Sequence, residues 1–365
     1  MLRNTCRLML LLGCVAFEGL AGATTVTINT DAARAVLVAL QDPALSHQAS
    51  LQIAAMRGNQ GIIRKLNEFK IPATAQSFAD ALYAAAHGAK VTDPVERSFY
   101  FDIVKPKSKK LLSLLQQVED NPLLFQGKIE KRIALFAPSG ADIHLHGYIV
   151  AGGDGGGYAF GDPNFFLNIG FVDEIVVAED VTTHEMYHAV QGAFAEDRVD
   201  AADGFAKTQS HAQNVCFNTN QLFANLYEEG SATYVENISL LSSAQSELGQ
   251  RKKKDFADGL EHVHTSVSLL EMSVISLSAT DAMPYDDVYD VGFYGHGILY
   301  TIGYVMAKDI VDNDGPQGLA AFLKQPPYRF VLHYTQLPKY GADKDHPRLG
   351  PNTFAAVCRL ANYCK

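Results

Sequence analysis

The chain has 365 residues, enough for one large domain or two of medium size with real cores. Its 47% hydrophobic and 19% charged residues are ordinary for a soluble globular protein. The formal net charge of -10 argues against non-specific nucleic-acid binding and against docking on anionic lipid. The basic runs at residues 105–110 and 251–254 read as solvated helix faces.

Residues 1–23 read as a signal peptide. Arg3 and Arg7 form a basic start, residues 8–17 an apolar centre, and Ala21-Gly22-Ala23 a small-residue cleavage site. Ten apolar residues fall short of the roughly 20 that cross a bilayer, so no transmembrane segment is expected in the mature chain. That chain would begin at Thr24 and be exported, periplasmic or secreted. A competing reading takes Leu11-Leu-Gly-Cys14 as a lipobox, with Cys14 carrying a lipid. After the leader three cysteines remain, and Cys358 with Cys364 could close a small loop, leaving Cys216 unpaired. Six residues apart on one helix they point to different faces, so this pair requires the helix to end before Cys364.

Residues 24–126 form a helical N-terminal region in this reading, a scaffold or channel wall. Thr30-Asp31 caps a helix through Val36 and Leu40, and further helices fall at 46–57, 60–69, 75–87 and 109–119. Breaks come at Gly58, Ile71-Pro72, Gly88 and Asn121-Pro122. From residue 129 the period shortens. Segments 132–136, 143–150 and 165–171 are rich in β-branched and aromatic residues and read as strands of an α+β domain spanning 127–365. Segment 165–171 is a candidate sheet edge for aligning extended substrate. Residues 152–157, Gly-Gly-Asp-Gly-Gly-Gly, read as a mobile loop that lacks the spacing of a dinucleotide site. His144 and His146 share one strand face; they read as sheet-lining residues, with a second metal site as the alternative.

The densest chemistry lies in His184-Glu-Met-Tyr-His188. Two histidines four apart lie one turn apart on a helix face and can reach a single ion, while Glu185 is turned about 100° from His184 and stands beside it. Zinc held by three protein ligands keeps a fourth position for water and lowers its pKa to about 7. Asp180 is expected to cap this helix, Gly192 to fall near its end, and Met186, Ala189, Val190 and Phe194 to anchor it in the core; Tyr187 reads as packing. Downstream, Glu228-Glu-Gly-Ser-Ala232 offers a third ligand.

H-E-x-x-H followed by E-G-x-A on a second helix resembles the gluzincin metallopeptidases, especially peptidase-MA-like groups and related uncharacterised zinc peptidases. The resemblance covers about residues 132–308 and implies a zincin-like domain: a small mixed sheet over the H-E-x-x-H helix and a mainly helical C-terminal part. It implies Zn2+ held by His184, His188 and Glu229, with Glu228 the rival, and Glu185 as general base. Small residues at Gly230 and Ala232 would let the second helix approach the first. It also implies a tyrosine or histidine over the metal; Tyr294 or His296, in Gly292-Phe-Tyr-Gly-His-Gly297, could donate to a developing oxyanion, with core packing as the alternative. The substrate implied is a peptide or protein. Two other classes stay open at this point: a non-catalytic zinc-containing binding protein, and a zinc hydrolase of other amides or esters. The intact Glu185 weighs against the first.

Overall fold

The computed structural model describes residues 24–207, 210–294 and 297–364. The leader lies outside them, as does His296. Among the described residues, β1 (Thr24–Asn29), β2 (Ile143–Val150), β3 (Gly157–Ala159) and β4 (Asn164–Asn168) form one sheet in the order β1-β2-β4-β3. The β1–β2 and β2–β4 pairs are parallel, and β3 runs antiparallel to β4.

Six helices lie between β1 and β2: α1 (Asp31–Ala39), α2 (His47–Ala54), α3 (Arg57–Glu68), α4 (Ala75–Ala86), α5 (Ser108–Asp120) and α6 (Pro122–Leu135), not counting shorter turns. After β4 come α7 (Ile175–Ala193), α8 (His211–Val235), α9 (Glu247–Glu261), α10 (Val263–Ser278), α11 (Tyr285–Gly292), α12 (Ile298–Asp314) and α13 (Pro351–Asn362), again with short turns between. The fold is mixed α+β, mostly helical, with the sheet packed on α7. One apolar cluster runs through both halves, from Val36 and Phe78 to Leu145, Met186, Phe223 and Val357. No helix among the described residues is long and apolar enough to cross a membrane.

Several expectations need correction. The segment 24–126 opens with a strand, because Thr24-Thr-Val-Thr-Ile-Asn29 alternates buried and exposed positions and finds β2 as a partner. The boundary at 126/127 falls inside α6. Residues 132–135 are the last turn of that helix and Phe136 is its C-cap, since Phe125, Ile129 and Ile133 recur at four and bury together. Gly58 sits inside the first turn of α3, where a Cβ would lie 2.6 Å from the Ala32 Cβ. Segment 165–171 is strand only to Asn168, and β4 lies between β2 and β3, so it cannot be the edge; β3 is. Cys364 bonds to Cys216, leaving Cys358 as the free thiol. The last helix does end before Cys364, but Cys358 stays within it while Cys364 turns back onto α8.

Candidate metal centre

α7 begins five residues before Asp180. The apolar turn Ile175-Val-Val-Ala178 extends the helix upstream, and Glu174 takes the N-cap position. Glu174 makes no cap bond there; its carboxylate accepts from the backbone N–H groups of Gln245 and Ser246, ahead of α9. Asp180 is wholly buried on the helix and pairs with Lys252 at 2.7 Å. Val177, Met186, Ala189 and Val190 are fully buried and fix α7 against its neighbours, which turns His184, Glu185 and His188 toward the cleft side. Tyr187 is also fully buried and packs.

α8 crosses α7 and carries Glu229. Its final carbonyls, those of Tyr234 and Val235, accept from the Arg132 guanidinium of α6 at 2.9 and 2.8 Å. Gly230 meets α12: a Cβ there would stand 2.3 Å from the Gly303 backbone. The small residue next to Glu229 therefore admits α12, not α7. Contact with α7 is polar instead, through Gln191, whose amide donates to the Glu228 carbonyl and the Ser231 hydroxyl, each at 2.9 Å.

The structure brings His184, His188 and Glu229 to one point. The two Nε2 atoms lie 3.0 Å apart, and the Glu229 Oε2 is 3.4 Å from His184 Nε2 and 3.3 Å from His188 Nε2. Tetrahedral zinc with ligands at 2.0–2.1 Å sets its donor atoms about 3.3–3.4 Å apart, so the spacing fits. The tautomers fit as well. His184 Nδ1 faces the Glu236 carboxylate at 2.8 Å, and His188 Nδ1 faces the Gln191 carbonyl oxygen at 2.7 Å. Both partners are acceptors and fix the proton of each neutral ring on Nδ1, leaving two Nε2 lone pairs aimed at a carboxylate oxygen. That oxygen is buried and has no hydrogen-bond partner. Three converging lone pairs repel unless a cation lies among them. These three residues could hold a metal ion; among the described residues no other group of three or more acidic, histidine or cysteine residues converges this way.

Without the ion, protons fill the site. Burial would lower His184, but Glu229 and Glu236 outweigh it and push its pKa up to about 10. Burial would raise Glu229, yet His188 and His184 hold it well below the usual carboxylate range. Burial raises Glu185 against the pull of both histidines, the direction a proton acceptor at neutral pH needs. Behind His184, burial and Glu236 raise Asp180 to about 7, while Lys252 opposes them.

Glu228 turns away and pairs with the buried Arg198 at 2.7 Å. Tyr294 is 63% exposed and does not border the cleft. The aromatic hydroxyl at the site is Tyr300, whose phenol burial and the adjacent Glu229 carboxylate keep protonated. His144 and His146 are exposed and bond to Thr25 and Thr27 of β1 through Nδ1, at 2.6 and 3.3 Å. The cleft, about 420 Å³, is bordered by His184, Glu185, Gly157, Phe256, Phe293 and Tyr300, among others. A larger cavity of about 630 Å³ lies beside α4, bordered by none of the converging residues.

Sequence reasoning missed Glu236, Gln191 and Tyr300. The first two were within reach: Glu236 follows Glu229 by seven residues, two turns along one face, and Gln191 follows His188 by three. Tyr300 had no local signal, because only the Gly230–Gly303 crossing carries it to the ligands.

A family model described as "Putative zinc dependent peptidase (DUF5700)" matches residues 52–342, a span that includes His184, Glu185, His188 and Glu229. Neither the curated proteins nor the solved structures give a match.

Proposed function

The chain belongs to the family of that description, and from that premise we propose that it hydrolyses peptide bonds at the α7–α8 cleft. The observation that carries the reading is the convergence of His184, His188 and Glu229 with Glu185 at their side. His184, His188 and Glu229 would hold the zinc, which when bound would supply a Lewis acid for the substrate carbonyl and lower the pKa of a water to about 7. Glu185 takes a proton from the attacking water and delivers it to the leaving amine. The Tyr300 hydroxyl is the donor for the carbonyl oxygen as it gains charge, the role that Tyr294 is too exposed to fill. Glu236 and Gln191 hold the two imidazoles in the ligating tautomer. Extended substrate lies along β3, the sheet edge beside Glu185: a Cβ on Gly157 would stand 2.6 Å from the Glu185 Cγ.

This arrangement of sheet, α7 and α8 is the zincin-like catalytic domain in our reading, and the bonded Cys216–Cys364 pair supports export to an oxidising compartment. The test compares the chain from Thr24 with its Glu185→Gln variant on a mixed peptide library, with bound zinc measured in both. Zinc retained and cleavage reduced at least a thousandfold in the variant is the expected result. Equal cleavage by both proteins, or absence of zinc from both, would sink the reading.

A further inference from the structure

We propose that Asn168 is a positioning residue for substrate: through the glycine loop at residues 152–157 it sets where β3 stands beside Glu185. The inference rests on the peptidase reading, which lays the substrate along that strand. Asn168 ends β4 and is wholly buried. Its carboxamide oxygen accepts from the N–H groups of Gly152 and Gly170 at 3.1 and 3.0 Å. Its amide nitrogen donates to the carbonyls of Gly153 and Gly155 at 3.1 and 3.0 Å. Its own backbone N–H donates to the Gly156 carbonyl at 2.9 Å.

Five of the six loop residues are glycine, the residue with most backbone freedom to lose on ordering. Gly152, Gly153 and Gly155 use that freedom, at φ of 134°, 77° and 81°. The loop expected to be mobile is thus tied at its start and in its middle by one side chain, and at Gly156 by the backbone N–H of the same residue. Its last two glycines border the cleft, and Gly157 begins β3. No other side chain of the described residues is hydrogen-bonded to the Gly153 or Gly155 carbonyl. Loss of the Asn168 side-chain bonds loosens the loop that leads into β3 and shifts the start of that strand, which its ladder to β4 still holds, while the metal ligands, on α7 and α8, keep their own supports.

The test uses the zinc-loaded chain, a peptide that the wild type cleaves, and a version of it trimmed to the two residues flanking the cut. Asn168→Asp keeps the shape but sets a carboxylate oxygen against the Gly153 and Gly155 carbonyls. Gly155→Ala provides a loop-only variant: its φ is 81°, and its new Cβ would meet nothing closer than the Gly157 oxygen at 3.8 Å. Both should raise KM for the long peptide tenfold or more, with kcat within threefold and zinc stoichiometry unchanged. KM for the trimmed substrate should stay within twofold. Equal losses on both substrates, or an unchanged KM in the folded variants, would overturn the assignment. If Asn168→Asp does not fold, Gly155→Ala alone decides. A wild type that cleaves no peptide removes the peptidase reading and this inference with it, an outcome visible before any variant is made.

Discussion

At the scale of single residues, the candidate metal centre is a contest between protons and an ion for the same lone pairs. His184 has a pKa of about 10 in the ion-free site, raised by Glu229 and Glu236 against burial. At pH 7 it therefore carries a proton, and Nε2 can bind zinc only after losing it. The sign follows: zinc binding near neutral pH releases at least one proton, and apparent affinity rises about tenfold per pH unit until the pH reaches 10. The second imidazole, His188, is pushed up as well, by Glu229 against burial, and steepens the dependence wherever it too is protonated. Calorimetry of zinc binding at pH 7 in buffers of different ionisation enthalpy should return a release of one proton or more. A buffer-independent heat would contradict the geometry assigned to His184.

At the scale of elements, the site depends on how closely α8 and α12 meet. A methyl on Gly230 would fall 2.3 Å from the Gly303 backbone, which has no side chain to swing aside. Gly230→Ala must therefore push the helices apart, moving Glu229 and Tyr300 together. Overpacking of this kind costs about 1–3 kcal/mol, and the backbone clash puts this case at the upper end. Urea unfolding should show that loss, and zinc affinity should fall at least tenfold; a variant as stable as wild type would refute the crossing. The same pair shows how far spacing can be read. E-G-x-A announced a close approach beside a ligand, but a small residue does not say which helix approaches it. Likewise the spacing of His184 and His188 fixed their shared face, while Asp180 misled because a good capping residue can equally be a buried partner of Lys252.

Across the whole molecule, the helices at 31–39, 57–68, 75–86 and 108–120 were legible because their apolar positions recur at three and four over several turns. The short segments were not. β1 has alternation and β-branched residues, yet it is six residues long and needs a partner 119 positions away to be a strand. The turn at 132–135 has the composition of a strand and is helical because Asn121 starts a helix that Phe125, Ile129 and Ile133 bury. In both cases the deciding contact lies outside any local window. The sheet likewise joins chain from before residue 126 to chain from after it, and α6 runs across that position.

The cysteines pose this question most sharply, because the nearer pair in sequence is not the bonded one. Cys216, near the start of α8, and Cys364, two residues beyond α13, have Cα atoms 5.8 Å apart, within the range a disulfide spans. They are separated by 148 positions. Closing so long a loop in the unfolded chain removes entropy worth about 5 kcal/mol on the chain-entropy account, and native disulfides contribute about 2–5 kcal/mol when measured by removal. The link also ties the end of the described chain to the helix that presents Glu229. Peptide mapping without reductant should recover Cys216 joined to Cys364 and leave Cys358 open to alkylation. Reduction should lower the unfolding free energy in urea by about 2–5 kcal/mol. A Cys358–Cys364 link in that map would restore the local pairing and detach the C-terminal helix from α8.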